Sequence, residues 1–270
     1  MVKGLLVLLA VVCACSLAAA GARADTPPPP SDIFDGAGVF VDNPLNLPGP
    51  WGLADELEAN HFTWVAFHVT NGFVQQDLDP MWISVFRSHG IMVGGWGYED
   101  SAALIDAVLA DIAIRRYGFD FWIADAESAY EQTKKNHGWK NSATFVRVFR
   151  SLQPTIPAAL TTYGAATAPY VLPIDYPSWR NAGFDLLPQA YYNQFPKVYR
   201  PDLTVDHSQR AGWPLDLVHP VIGVYRHYAA ANYVPLLEAL PTRGFSVFLA
   251  DQATAADYAA LEPLALAAAG

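Results

Sequence analysis

The sequence predicts an α/β fold, a single-domain (β/α)8 barrel of the TIM type, and three observations carry that prediction. From Gly36 onward, short apolar runs alternate with longer amphipathic segments, and eight such pairs follow one another with no linker between them. The short runs are apolar almost throughout, as parallel strands covered on both faces should be. Each run ends in polar or aromatic residues, as expected at the C-terminal rim of a barrel, where loops from several strands converge. Eight strand–helix units favour a closed barrel over an open doubly wound sheet. A dinucleotide fold would also need Gly-x-Gly-x-x-Gly between a strand and a helix. Gly94-Gly95-Trp96-Gly97 is the nearest approach, and no helix start follows it.

The elements are taken in chain order. Met1-Val2-Lys3, the apolar stretch from Gly4 to about Ala20 and the small-x-small site Ala22-Arg23-Ala24 have the form of a secretory signal peptide over residues 1–24. The expected location is therefore secreted or extracytoplasmic. An uncleaved anchor or a lipid anchor at Cys15 are the alternatives. Residues 25–35, with Pro27-Pro28-Pro29-Pro30, read as a polyproline spacer, and the barrel is assigned to residues 36–270. The strand candidates are Gly38–Asp42, Thr63–His68, Met92–Trp96, Phe119–Asp125, Ala158–Tyr163, Leu186–Tyr191, Pro220–Tyr225 and Ser246–Asp251. Helical spacing marks Ser101–Tyr117, with Leu104, Ile105, Val108, Leu109 and Ile112 on the apolar stripe. It also marks Ser142–Leu152, Tyr233–Leu240 and Thr254 to about Leu266. Gly90, Gly118, Gly183 and Gly244 stand just before strands, where a helix needs a left-handed exit.

Bulk properties narrow the function. Both cysteines, Cys13 and Cys15, lie in the leader, so the rest of the chain has no disulfide, thiolate nucleophile or cysteine metal site. The formal net charge is −10, and −12 once Lys3 and Arg23 leave with the leader. An acidic surface repels phosphate backbones, and no basic stripe is present, so nucleic acid is excluded as a partner. After leader cleavage no membrane association is expected. Charged residues make up only 16% of the chain, against 8 Trp and 13 Tyr, a mix that suits aromatic-lined clefts. A carbohydrate polymer is the expected partner, and the expected state is a monomer. No cofactor is expected, because there is no phosphate loop or Gly-x-Ser-x-Gly elbow, nor a His-Glu-x-x-His helix.

The candidate site residues are those at the strand ends. Residues i and i+2 on a strand share a face, so Asp125 and Glu127 should both aim into the mouth, with small Ala126 facing the helices. Two close carboxylates cannot both ionise comfortably. One is then protonated and the other charged, the pair that glycosidic cleavage uses. Asp125 and Glu127 could instead be salt-bridged by Arg226 or His227, or Asp125 could hold a cation together with His68 and His227. Asp42 and Asp251, on strands that meet when the barrel closes, are candidates to orient sugar hydroxyls. Gln189 and Tyr191 are again i and i+2. Trp96, Tyr98, Tyr163 and Tyr225 are candidate stacking platforms for sugar faces.

The strand order, Asp125-Ala126-Glu127 and the following Thr162-Tyr163 resemble family 25 glycoside hydrolases, the lysozyme-type muramidases. Thr161-Thr162-Tyr163-Gly164, Tyr176-Pro177-Ser178-Trp179 and Leu187-Pro188-Gln189-Ala190-Tyr191 are also similar to secreted glycoside-hydrolase-like barrels. The resemblance implies a glycosidase acting on peptidoglycan or a related amino-sugar polymer. It implies that Glu127 is the general acid, that Asp125 stabilises the reacting centre or positions an acetamido group, and that Asp42 supports them. The sequence departs from that family after Asp42, where Asn43-Pro44 follow, and on strand eight, which carries only Asp251-Gln252. It departs from the chitinase pattern on strand four, where Ile123 stands in place of a third acid. Those departures motivate the alternative of a barrel that binds glycans without cleaving them.

Overall fold

The computed structural model describes residues 32–71, 77–100, 102–131, 138–164, 174–197, 199–226 and 228–269. The predicted leader, residues 25–31 of the predicted spacer, Ser101 and His227 lie outside the described residues. Eight parallel strands close in sequence order, β1 pairing with β8. They are β1 (Ala37–Val41), β2 (Phe62–Asn71), β3 (Met92–Glu99), β4 (Trp122–Ala126), β5 (Ala158–Tyr163), β6 (Phe184–Ala190), β7 (Val221–Gly223) and β8 (Phe245–Phe248). Eight helices alternate with them among the described residues: α1 (Pro50–Ala59), α2 (Pro80–Ser88), α3 (Ala103–Tyr117), α4 (Gly138–Leu152), α5 (Tyr176–Asn181), α6 (Pro201–Arg210), α7 (Val234–Glu238) and α8 (Ala255–Ala269). The single-domain (β/α)8 barrel predicted from the alternation is the fold observed. No helix among the described residues is long and apolar enough to cross a membrane.

Alternation along each strand sorts side chains between two cores. Ala37, Val39 and Val41 of β1 join the outer core under the helices, whereas Phe40 joins the inner one with Trp64, Ala66, Trp96, Phe121, Ile123, Ala159, Leu187 and Val221. The inner space is narrow, so large rings need vacated volume beside them. A Cβ on Gly38 would lie 1.8 Å from the Trp64 indole, and one on Gly94 would lie 2.2 Å from the Phe121 ring. Glycine at both positions is a packing requirement.

Three sequence expectations are corrected. The spacer ends earlier than residue 35, because Asp32–Asp35 form a 3-10 turn that inserts Phe34 into the barrel floor. Phe34 is fully buried and meets Trp64 and Phe121 edge-on at 5.7 and 5.3 Å. On α3 the buried face is Ala103, Ala107, Ala110, Ala113, Ile114 and Tyr117, while Leu104, Ile105 and Ile112 are exposed. The helix packs against β3 and α4, where close approach selects alanine, and a hydrophobicity pattern ranks leucine above it. Gly90, Gly118 and Gly183 do take left-handed φ (72°, 66° and 70°), but Gly244 does not. Its constraint is contact: a Cβ there would come within 1.9 Å of the Phe34 carbonyl oxygen.

Strand boundaries shift modestly. Phe119 and Asp120 lead into β4 rather than belonging to it, and Asp251 lies in the turn after β8. Below the sheet, Arg150 holds the approaches to β5 and β6 together. It donates from Nε to Ala182 O (2.7 Å), from Nη2 to Gly183 O (2.9 Å) and from Nη1 to Ile156 O (2.6 Å). Replacing Phe34 with Ala should lower stability by about 3–5 kcal/mol, the usual loss for a buried phenylalanine. Chemical denaturation followed by tryptophan fluorescence measures this, and a loss below about 1 kcal/mol would mean the floor does not depend on this ring.

Candidate active site

The mouth of the barrel is built from the last inward-facing residue of each strand. β4 delivers Asp125, and Glu127 follows one residue past the strand end. Ala126 between them is fully buried against the helix layer, which only a small side chain allows so close to β3. The turn beyond Glu127 is pinned by Tyr130, whose amide donates to Glu127 O (2.8 Å) and whose buried phenol donates to Asp106 Oδ2 on α3 (3.3 Å). The carboxylates therefore sit on a braced corner.

Gln189 from β6 joins the two acids. Its Nε2 donates to Glu127 Oε1 at 2.8 Å and to Asp125 Oδ1 at 3.3 Å, so one amide group spans the pair. Both acids thus address the same point, as their i, i+2 spacing requires. Burial, reinforced by the charge of Glu127, raises the Asp125 carboxyl well above the ordinary aspartate range. The pair accordingly carries a proton where two isolated carboxylates would not, and Asp125 is the member that keeps it.

Aromatic groups complete this side. The Tyr163 hydroxyl hydrogen-bonds Glu127, and burial together with the nearby acids raises its pKa. Tyr98 reaches Ser128 and lies within the field of Glu127 and Asp125. Tyr191 stacks on Phe248 at 5.5 Å and meets Tyr225 edge-on at 5.7 Å. Burial pushes Tyr191 well up and Tyr225 up to about 12, so both remain hydrogen-bond donors at neutral pH.

A second group forms where β1, β2 and β3 end. Asp42 Oδ1 lies 2.6 Å from His68 Nδ1, and His68 Nε2 lies 3.1 Å from Thr70 O. The imidazole stacks on Trp96 with centroids 3.8 Å apart and planes within 9°. The hydrogen bond from His68 holds Asp42 below the usual aspartate range. Asp251 lies beside Asp42, takes an amide contact from Asn46 at 3.5 Å and is raised chiefly by burial.

The structure thus brings Asp125, Glu127, Gln189 and Tyr163 into direct contact, and Asp42 and Asp251 into a separate group on the β1–β8 side. Trp96 is corrected: it is 4% exposed, covered on one face by His68, and its indole Nε1 donates to Val41 O (3.2 Å). It packs in the core and is not a sugar platform, because its strand position lies one layer below Tyr98. Arg226 does not take the role of salt-bridge partner. It is exposed, with left-handed φ of 58° and its guanidinium 6.0 Å from the Tyr225 ring centroid. The suggested cation site loses His68, whose two nitrogens are engaged by Asp42 and Thr70. Its third member, His227, is outside the described residues, and among those described no group of three His, Cys, Asp or Glu is placed to hold a metal ion. The Asp42–His68 pair was missed as a pair, although adjacent strands with Val41 opposite Phe67 set those two residues side by side.

Behind β3 and β4 lies a buried acidic set that sequence reading also missed. Glu99 and Asp106 are 1% and 2% exposed. Burial, with the charge of Asp106, raises Glu99 well above its normal range, and burial with Asp100 raises Asp106 to about 7.

Comparison with known proteins defines the class of fold. No family model matches the chain, and no curated protein matches it in sequence. Solved structures do. A family 18 chitinase from Cycas revoluta in complex with allosamidin superposes with a TM-score of 0.64 at 11% identity, over 87% of this chain and 100% of that one. A family 18 chitinase from Chromobacterium violaceum gives 0.61 at 15% identity, over 90% and 85%. The Amycolatopsis orientalis BexX/CysO complex gives 0.52 at 14%, over 85% and 88%. The chain therefore shares the TIM barrel architecture of these structures. The likeness expected to family 25 is not supported, since the resembling hydrolases named here are family 18 chitinases.

The buried acids give a pH signature. Their folded pKa values lie above the unfolded ones, so their stabilising contribution is full below about pH 4 and falls as pH rises toward 7, by about 1.4 kcal/mol per pH unit for each proton released. Asp106→Asn should flatten that slope and raise stability above pH 7. Urea denaturation of both proteins between pH 4.5 and 8 measures it, and parallel slopes would refute the assignment.

Proposed function

We propose that this chain hydrolyses glycosidic bonds in an amino-sugar polymer, of the chitin or peptidoglycan class, with Glu127 as general acid and Asp125 as its partner. The observation that carries this reading is the single Gln189 amide hydrogen-bonded to both carboxylates at the aromatic mouth of the barrel. A site that stores one proton between two acids can protonate a leaving glycosidic oxygen near neutral pH. Glu127 lies nearer the rim, within reach of Tyr163, and is the group placed to meet that oxygen. In the resting site the deeper Asp125 holds the proton and keeps a second negative charge from building up; when substrate seats, that proton passes to Glu127, which delivers it to the leaving oxygen and leaves Asp125 ionised. Once the glycosidic bond breaks, the ionised Asp125 would balance the positive charge at the sugar carbon, to which a water adds while giving its proton back to the carboxylate pair. Tyr191 and Tyr225 present phenol donors on the same side as the pair. The chitinase likeness in fold supports the polymer class, and the apolar leader supports an exported protein.

A second reading keeps the same pocket as a non-catalytic glycan receptor. It is favoured by Ile123, fully buried directly below Asp125 on the inner face of β4, where the chitinase pattern needs another acid. Reducing-end release from chitin oligosaccharides and from peptidoglycan separates the two. Glu127→Gln should lower turnover by about 10²–10⁴-fold with a native circular dichroism spectrum. Unchanged turnover in that variant would overturn the assignment of the acid. Saturable binding of the same sugars by wild-type protein that releases no reducing ends would establish the receptor reading.

A further inference from the structure

We propose that His68 is an imidazolium at neutral pH and a positioning residue, whose charge fixes Asp42 as an ionised anchor for sugar hydroxyls on the wall facing the acidic pair. The hydroxyl-binding part rests on the reading of the mouth as a sugar site, and the charge part stands without it.

The geometry requires two donors from one ring. The Thr70 carbonyl at 3.1 Å from Nε2 can only accept, so Nε2 carries a hydrogen. The Asp42 carboxylate at 2.6 Å from Nδ1 accepts when ionised, so Nδ1 carries a hydrogen as well. The competing arrangement is neutral and moves the second proton onto Asp42. Asp42 has a side chain 46% exposed, and water favours its charged form, whereas His68 has a side chain only 7% exposed and bonds to both neighbours. The third contact also favours charge on the ring. The imidazole lies flat on Trp96, at 3.8 Å between centroids, and an indole face attracts a cation.

Among the described residues, groups from four elements face this dyad. β1 contributes Asp42, β2 contributes His68 itself and the Thr70 carbonyl, β3 contributes Trp96, and the turn after β8 contributes Asp251 beside Asp42. Asp251 is raised above the ordinary aspartate range, chiefly by burial. His68 itself is too buried to touch a substrate. Its action on a ligand therefore runs through Asp42, whose carboxylate makes charge-assisted bonds with hydroxyl donors.

Two measurements on the full chain test this. With ring nitrogens labelled, the His68 resonances at pH 7, assigned by difference from His68→Gln, should show the nearly equal shifts of an imidazolium. Widely split shifts of a neutral tautomer would overturn the charge assignment. Binding of an N-acetylglucosamine tetramer, followed by tryptophan fluorescence, should weaken about tenfold in Asp42→Asn and in His68→Gln, with no further loss in the double variant because the two act as a unit. Wild-type affinity in either single variant, or additive losses in the double, would overturn the anchor. If His68→Gln does not fold, Asp42→Asn serves both readouts, since losing the carboxylate should convert the His68 shifts to the split pattern. Failure of the wild-type chain to bind the tetramer or any chitin or peptidoglycan fragment would overturn the sugar-site reading and the anchor together, while the nitrogen shifts still decide the charge.

Discussion

Everything at the mouth of this barrel depends on the close packing of Trp64 against Gly38 inside it. An eight-stranded barrel of fixed girth has room for few large rings, and here indole and phenyl groups occupy the floor and middle layers. Gly38 and Gly94 vacate the volume that Trp64 and Phe121 fill. With the middle of the interior filled by apolar rings up to Trp96 and Phe248, the acidic pair and its tyrosines sit in the layer that loops and solvent can reach, while Asp185 and His219 stay buried at the floor. The packing below thus dictates where the chemistry above can be.

That upper layer is divided electrically. On the β4–β6 side two carboxyl groups are crowded under one amide and one phenol, so a proton is retained. On the β1–β3 side a carboxylate is hydrogen-bonded to a histidine, which holds it below the usual aspartate range. The two arrangements use the same residue type, aspartate, in opposite protonation tendencies within one rim. Burial and like charge govern the first, and a hydrogen-bonded basic partner governs the second.

Much of this was legible in the sequence. Barrel topology followed from counting strand–helix alternations, and the convergence of Asp125, Glu127 and Gln189 followed from period-2 alternation on β4 and β6. What was not legible depends on distances between elements. Trp96 reads as a mouth aromatic because it ends an apolar run, yet β3 continues to Glu99 and leaves it one layer down. Leu104, Ile105 and Ile112 read as the inner face of α3 because hydrophobicity scales do not contain the space available between a helix and a sheet. His68 was read by its element-binding chemistry, whereas its neighbour across the β1–β2 register decides what it does. The buried Glu99–Asp106 pair joins residues on different elements that no local pattern connects.

The floor of the barrel bears on how the chain acquires its shape. Phe34 precedes every strand, yet the ring it completes is closed only when β8, some two hundred residues later, lies down beside β1. Gly244, immediately before that last strand, is pressed against the Phe34 carbonyl. The earliest and latest parts of the barrel are therefore fitted to one another. During synthesis on a ribosome the aromatic floor must remain unfinished until almost the whole domain has emerged, so the exposed rings of that interval are ones a chaperone would meet first.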